Sequence, residues 1–184
     1  MATPPKNVKR NGTRDLAFIA LMAALMAVCA WIIIPFSLVP FTLQTFAVFT
    51  ALALLGGRRG TLSIALYLCL GIVGLPVFSG FRGGVAALLG PTGGYLAGFL
   101  ATGIVYWAFT ARLGDGIWTK VIALILGLAV CYALGTLWFI QVYTEPITLK
   151  ATLMMCVLPY LPADAVKLAL AMAVSRRVGK ALNV

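Results

Sequence analysis

Asp164 and Lys167 lie three positions apart in the apolar run LPADAVKLALA. A charge at the centre of a bilayer costs about 2.5–3.5 kcal/mol on insertion scales, so two in one segment call for a purpose. Residues i and i+3 share a helix face and can meet. Two readings follow: an ion pair fastening a helix to its bundle, or a polar head offered to a small ligand. The ligand reading is favoured, because other polar candidates belong to the same side of the chain. Arg82, flanked by Phe81 and Gly83-Gly84 in a stretch without other charge, offers a guanidinium fork for a carboxylate. Gln44 stands between Thr42 and Thr45. The threonines share a face and are expected to bond their own backbone, whereas Gln44 points elsewhere. Tyr67 and Tyr95 are candidates for stacking or hydroxyl contacts, against the commoner role of membrane tyrosines as interfacial anchors.

What the chain lacks narrows the chemistry. It has no histidine, and its four acids are Asp15, Asp115, Glu145 and Asp164. Histidine-based catalysis and His/Cys/Asp metal clusters are thereby excluded, and neither an enzyme nor a cofactor is expected. Cys29, Cys69, Cys131 and Cys156 stand singly in apolar runs, as small buried hydrophobes do. There is no G-x-x-x-x-G-K-[ST] loop to cradle phosphates. Uphill transport by this chain would draw its energy from a partner or an ion gradient.

The elements that position these residues are membrane helices. Of 184 residues, 62% are hydrophobic and 10% charged, with a mean hydropathy of +1.06; a soluble domain is about half apolar and a quarter charged. The fold class expected is all-α, a polytopic membrane protein with six transmembrane helices. A polar tail covers residues 1–14 and a single six-helix domain residues 15–180. The helices are expected over about 15–34, 42–55, 61–73, 91–110, 117–142 and 162–178. The first apolar run, Leu16–Ile34, has spanning length and exceeds a signal-peptide core. Small residues four apart on that helix, Ala20 with Ala24 and Ala23 with Ala27, open a face to close helix approach. The segment 145–161, punctuated by Pro146 and Pro159, fits either a short re-entrant helix or the first half of the sixth.

The stretch GIVGLPVFSGFRGGVAALLGPTGGY, residues 71–95, is too rich in glycine and proline to face lipid, where unpaired backbone groups cost several kcal/mol each. It is expected to close one side of a small-molecule pocket. Lysine and arginine placement fixes the side. With a cytoplasmic N-terminus, the inner segments hold Lys6, Lys9, Arg10, Arg14, Arg58, Arg59, Arg112, Lys120, Arg176, Arg177 and Lys180, against Arg82 and Lys150 outside. That is the positive-inside pattern. It explains the net charge of +10 without a nucleic-acid partner, and puts both termini on the cytoplasmic face of a cell membrane.

Four motifs occur in order: T-x-Q-T at 42–45, G-x-x-G-L-P-V-F-x-G at 71–80, G-P-T-G-G-Y at 90–95 and P-x-D-x-x-K at 162–167. Together with the intervening run they resemble the BioY family, the biotin-binding S components of energy-coupling factor (ECF) transporters, over nearly all of the chain. The resemblance implies six membrane helices with an outward-facing biotin pocket. It further implies association with a transmembrane T component and two ABC-type ATPases. Carried onto this sequence, it makes Asp164, Lys167 and Arg82 ligand contacts and sets Ala20 and Ala24 on the face that docks the T component. Biotin suits these groups: a carboxylate for Arg82, ureido N–H groups for Asp164, and a ureido carbonyl for Lys167. The alternatives are a solitary biotin carrier and a membrane anchor subunit that transports nothing.

Overall fold

The structure, a computed structural model, describes residues 12–34, 40–143 and 148–182. Most of the polar tail, residues 35–39, Glu145 and Pro146 lie outside the described residues. In chain order the elements are α1 (Gly12–Trp31), β1 (Ile33–Ile34), β2 (Phe41–Thr42), α2 (Gln44–Ile72), α3 (Val85–Leu89), α4 (Gly93–Leu113), α5 (Ile117–Val142), α6 (Leu149–Cys156) and α7 (Leu161–Leu182).

The first expected helix stops early. Ile33 and Ile34 pair antiparallel with Thr42 and Phe41, in the register Ile33↔Thr42 and Ile34↔Phe41. Consecutive β-branched residues favour a strand, and Pro35 disfavours helical geometry just before it. The small hairpin brings Phe41 and Thr42 over the end of the bundle, and both are buried.

The second and third expected helices are the two halves of α2. No loop separates them: only Gly56 leaves helical geometry, with φ 78° and ψ 174°, a conformation that glycine adopts at little cost. A Cβ placed on Gly60 would stand 2.8 Å from the Cα of Leu52, so the second half doubles back against the first. Counting both halves, the six long rods of the structure are those expected: α1, the two arms of α2, α4, α5 and α7.

α1, α4 and α5 are each long and apolar enough to cross a membrane. α6 and α7 meet that test as a pair bent by 45°. This resolves the segment before Pro162: α6 is a separate short helix, its start capped by the Thr148 hydroxyl accepting from the Ala151 amide.

α4 and α5 run antiparallel in the most intimate contact of the bundle. A Cβ on Gly98 would lie 2.7 Å from the Cys131 sulfur, and one on Gly127 2.7 Å from the Thr102 methyl. Small residues let membrane helices approach this closely. The Thr102 hydroxyl sits in the seam, 2.9 Å from the carbonyl oxygens of both Gly98 and Gly127.

The glycine-rich stretch closes one end. After α2 it forms a tight loop in which the Phe78 amide donates to the Arg82 carbonyl at 2.9 Å. The Phe78 ring is seated on Gly71, where any side chain would overlap it. Trp31, the last residue of α1, donates its indole N–H to the Pro76 carbonyl at 2.9 Å and stacks on Phe81 with ring centroids 5.0 Å apart. Phe81 has φ 56°, the one non-glycine residue in the left-handed region among the described residues.

Candidate functional site

A cavity opens beneath that loop, walled by the hairpin, the start of α2, α4, α5, α6 and α7. Asp164, Lys167, Arg82, Gln44 and Tyr95 all line it. The five residues singled out from the sequence, spread over 124 positions from Gln44 to Lys167, are therefore neighbours around one space.

Its polar centre is the first turns of α7. Asp164 and Lys167 are 2% and 5% exposed and form an ion pair at 2.9 Å. A buried pair is tolerated when the remaining donors and acceptors are satisfied, and here they are. Lys167 Nζ donates to Asp164 Oδ1, to the Thr42 carbonyl at 2.7 Å and to Thr45 Oγ1 at 3.0 Å. An ammonium has three protons, so each has a protein acceptor. The Phe41 ring centroid lies 3.9 Å from the same nitrogen, a cation–π contact that adds to the hold. The carboxylate accepts in turn from Thr45 Oγ1 at 2.8 Å and, on its other oxygen, in a short bond from the Tyr132 hydroxyl. A ligand that takes a bond from Lys167 must displace one of its present acceptors.

Thr45 thus bonds Asp164 and Lys167 rather than its own backbone, contrary to the expectation from the sequence. Gln44 also departs from expectation, since it faces the cavity with both threonines. Its Nε2 donates to the Tyr67 hydroxyl at 2.6 Å, and that hydroxyl donates to the Val77 carbonyl at 3.1 Å. Thr42 Oγ1 donates to Gln44 Oε1 at 3.0 Å. Tyr67 also meets Phe78 edge-on, ring centroids 5.5 Å apart. The chain Thr42–Gln44–Tyr67–Val77 therefore ties the hairpin to the glycine-rich loop across the start of α2.

Arg82 occupies the rim. Its side chain is exposed, Nε donates to the Ser79 carbonyl at 3.3 Å, and among the described residues it forms no ion pair. Tyr95 is half-buried, with a hydroxyl that has no hydrogen-bond partner among the described residues. The rest of the wall is largely apolar, with Phe78, Leu96, Phe99 and Tyr160 among it. A few convergent polar groups in an apolar wall is the usual make-up of a small-molecule site.

The sequence reading missed Tyr132 and Phe41. Tyr132 lies in α5 among apolar residues, and no periodicity marks it as the hydrogen-bond donor to Asp164. Phe41 belongs to a two-residue strand, too short to leave a pattern.

Ala20 and Ala24 lie elsewhere. Both are exposed on α1 with Leu21 and Val28, on the face turned away from the bundle, while Ala23 and Ala27 are buried against it. The two four-residue spacings on this helix therefore serve different surfaces.

The architecture and the sequence are both similar to proteins of known kind. A solved structure described as the S-component for biotin from an ECF-type ABC transporter superposes with a TM-score of 0.82 at 29% identity, covering 97% of this chain and 95% of that one. The biotin transporter BioY of Thermotoga maritima is 38% identical over 167 residues, 91% of this chain and 96% of that protein. A probable biotin transporter BioY of Pyrococcus horikoshii is 38% identical over 166 residues, 90% and 96% of the two chains. The family model for BioY matches residues 3–184. The chain belongs to the BioY family.

Proposed function

We propose that this chain is the biotin-binding membrane subunit of an ECF transporter, capturing biotin in the cavity under the glycine-rich loop. The observation that carries the reading is the buried Asp164–Lys167 pair facing that cavity, with Arg82 at its rim. Biotin combines a carboxylate, a ureido group that donates and accepts, and an apolar ring and chain. Arg82 takes the carboxylate through its guanidinium fork. Asp164 accepts from ureido N–H, and Lys167 donates to the ureido carbonyl in exchange for Thr42 or Thr45. Tyr95 gives its hydroxyl a partner in the ligand, and Gln44 holds the loop and hairpin in register through Tyr67.

The chain works as one six-helix unit over 15–180 and performs no catalysis itself. A transmembrane T component docks on the α1 face that carries Ala20 and Ala24, and two ABC-type ATPases drive release. The distribution of lysine and arginine supports a cell-membrane location with both termini cytoplasmic.

Biotin binding by the purified chain, measured by retention of radiolabelled biotin, tests the reading. The wild type is expected to bind and Asp164→Asn to lose most of the affinity; a wild type that does not bind removes the functional claim. The role of Arg82 has its own test. Arg82→Ala should weaken biotin far more than a biotin amide without the charge, and equal losses for the two ligands would sink that role.

A further inference from the structure

At the other end of the bundle a second cleft, of about 510 Å³, opens between the end of the first arm of α2, the start of α5 and the last turns of α7. Three cations line it, Lys120, Arg176 and Lys180, against one acid, Asp115. Arg176 and Lys180 are four apart on α7 and so share a face, while Lys120 comes from α5. Among the described residues none of these four groups takes part in an ion pair. Lys120 reaches across to the Ala53 carbonyl at 3.5 Å, a weak contact by distance that draws its ammonium over the cleft. Apolar side chains line it as well, Leu54 from the first arm of α2 and Met172, one turn before Arg176 on α7. Trp118, next to Ile117 of the cleft wall, is 76% exposed, as befits a side chain at a membrane–water interface.

Cations that only obey the positive-inside rule need not converge. Here they come from two helices onto one cleft whose lining also includes apolar side chains from α2 and α7. We propose that this cleft binds a phosphate-bearing anion, and that in the membrane its occupant is the headgroup of an anionic phospholipid. Arg176 and Lys180 hold the phosphate, Arg176 through its two-pronged geometry. Lys120 closes the third side, and Leu54 and Met172 receive the start of an acyl chain. Basic pockets between membrane helices bind lipid headgroups on these terms. The inference needs the chain only to lie in a membrane, and is independent of what fills the outer cavity.

Native mass spectrometry of the detergent-purified chain, titrated with phosphatidylglycerol, with phosphatidylcholine of the same acyl chains and with inorganic phosphate, tests it. Phosphatidylglycerol should bind the wild type at least roughly tenfold more tightly than phosphatidylcholine. The triple variant Lys120→Gln/Arg176→Gln/Lys180→Gln should lose that preference, while Arg112→Gln/Arg177→Gln, which removes two cations outside the cleft, should keep it. Equal losses in the two variants would reduce the effect to diffuse surface charge and overturn the site. Inorganic phosphate competing as well as the lipid would overturn the lipid assignment. Should the triple variant fail to melt cooperatively, Arg176→Gln alone carries the test, with a loss of at least roughly threefold expected and none overturning the proposal.

Discussion

Along the α4–α5 seam the helices meet through the absence of side chains; where α7 meets the hairpin and the start of α2 they meet through charge. The first contact is glycine against Cys131 and Thr102, with backbones close enough for dispersion to act over the whole length. The second contact gathers Asp164, Lys167, Thr45, Tyr132 from α5 and a backbone carbonyl. A membrane offers little hydrophobic drive between helices, so both are ways of holding a bundle where water cannot help. The difference lies in what each can release. A glycine seam has nothing to exchange with a solute, whereas a hydrogen-bonded pair can trade a protein acceptor for a ligand one.

The sharpest way to break this comparison is Lys167→Met. It strands the Asp164 carboxylate in a buried site, and a loss of about 3–5 kcal/mol in stability is expected, read by thermal unfolding in detergent. Adding Asp164→Leu should recover most of that stability without restoring biotin binding. Recovery of both would mean that the pair serves packing alone. Next comes Tyr132→Phe, which removes a bond to a charged acceptor worth about 1.5–3 kcal/mol; it should weaken biotin as well as the fold. Gly127→Val drives a side chain into Thr102 and should cost about 1–3 kcal/mol, while biotin affinity of the folded fraction stays within about threefold. A much larger affinity loss would show that the glycine seam is not mere scaffold. The smallest effect is expected from Thr102→Val, about 0.6 kcal/mol on the scale of membrane hydrogen bonds, seen as a slight fall in melting temperature with binding unchanged.

The seams also differ in how far the sequence disclosed them. α5 was legible to the residue, Ile117–Val142, because glycines precede it and no charge interrupts it after Lys120. The ion pair was legible because charge in such a run is conspicuous. The acceptors of that pair were not. The Thr42 carbonyl lies 125 residues from Lys167, and a backbone oxygen has no signature in the sequence. The hairpin was hidden by its brevity, and the reversal in α2 by a surplus of candidates: GGRRG suggests a loop, yet Gly56 alone makes the turn. Thr45 was misjudged because a threonine hydroxyl within reach of its own helix usually bonds there, and only the nearness of α7 gives it stronger partners.

The reversal at Gly56 also sets a depth. Residues 44–55 form a helix that rises only about 18 Å, against a hydrocarbon layer of about 30 Å. With Gly56 at one membrane surface, Gln44 and Thr45 stop roughly 12 Å short of the other. In that placement the hairpin and the glycine-rich loop would fill the shortfall, and Gln44 and Thr45 at the cavity would lie below the plane of the lipid headgroups. A solute bound at Asp164, as proposed, would make its hydrogen bonds in surroundings where each counts for more than it would at the surface. Two added turns in the first arm of α2, about 11 Å, would carry Gln44 and Thr45 close to that surface.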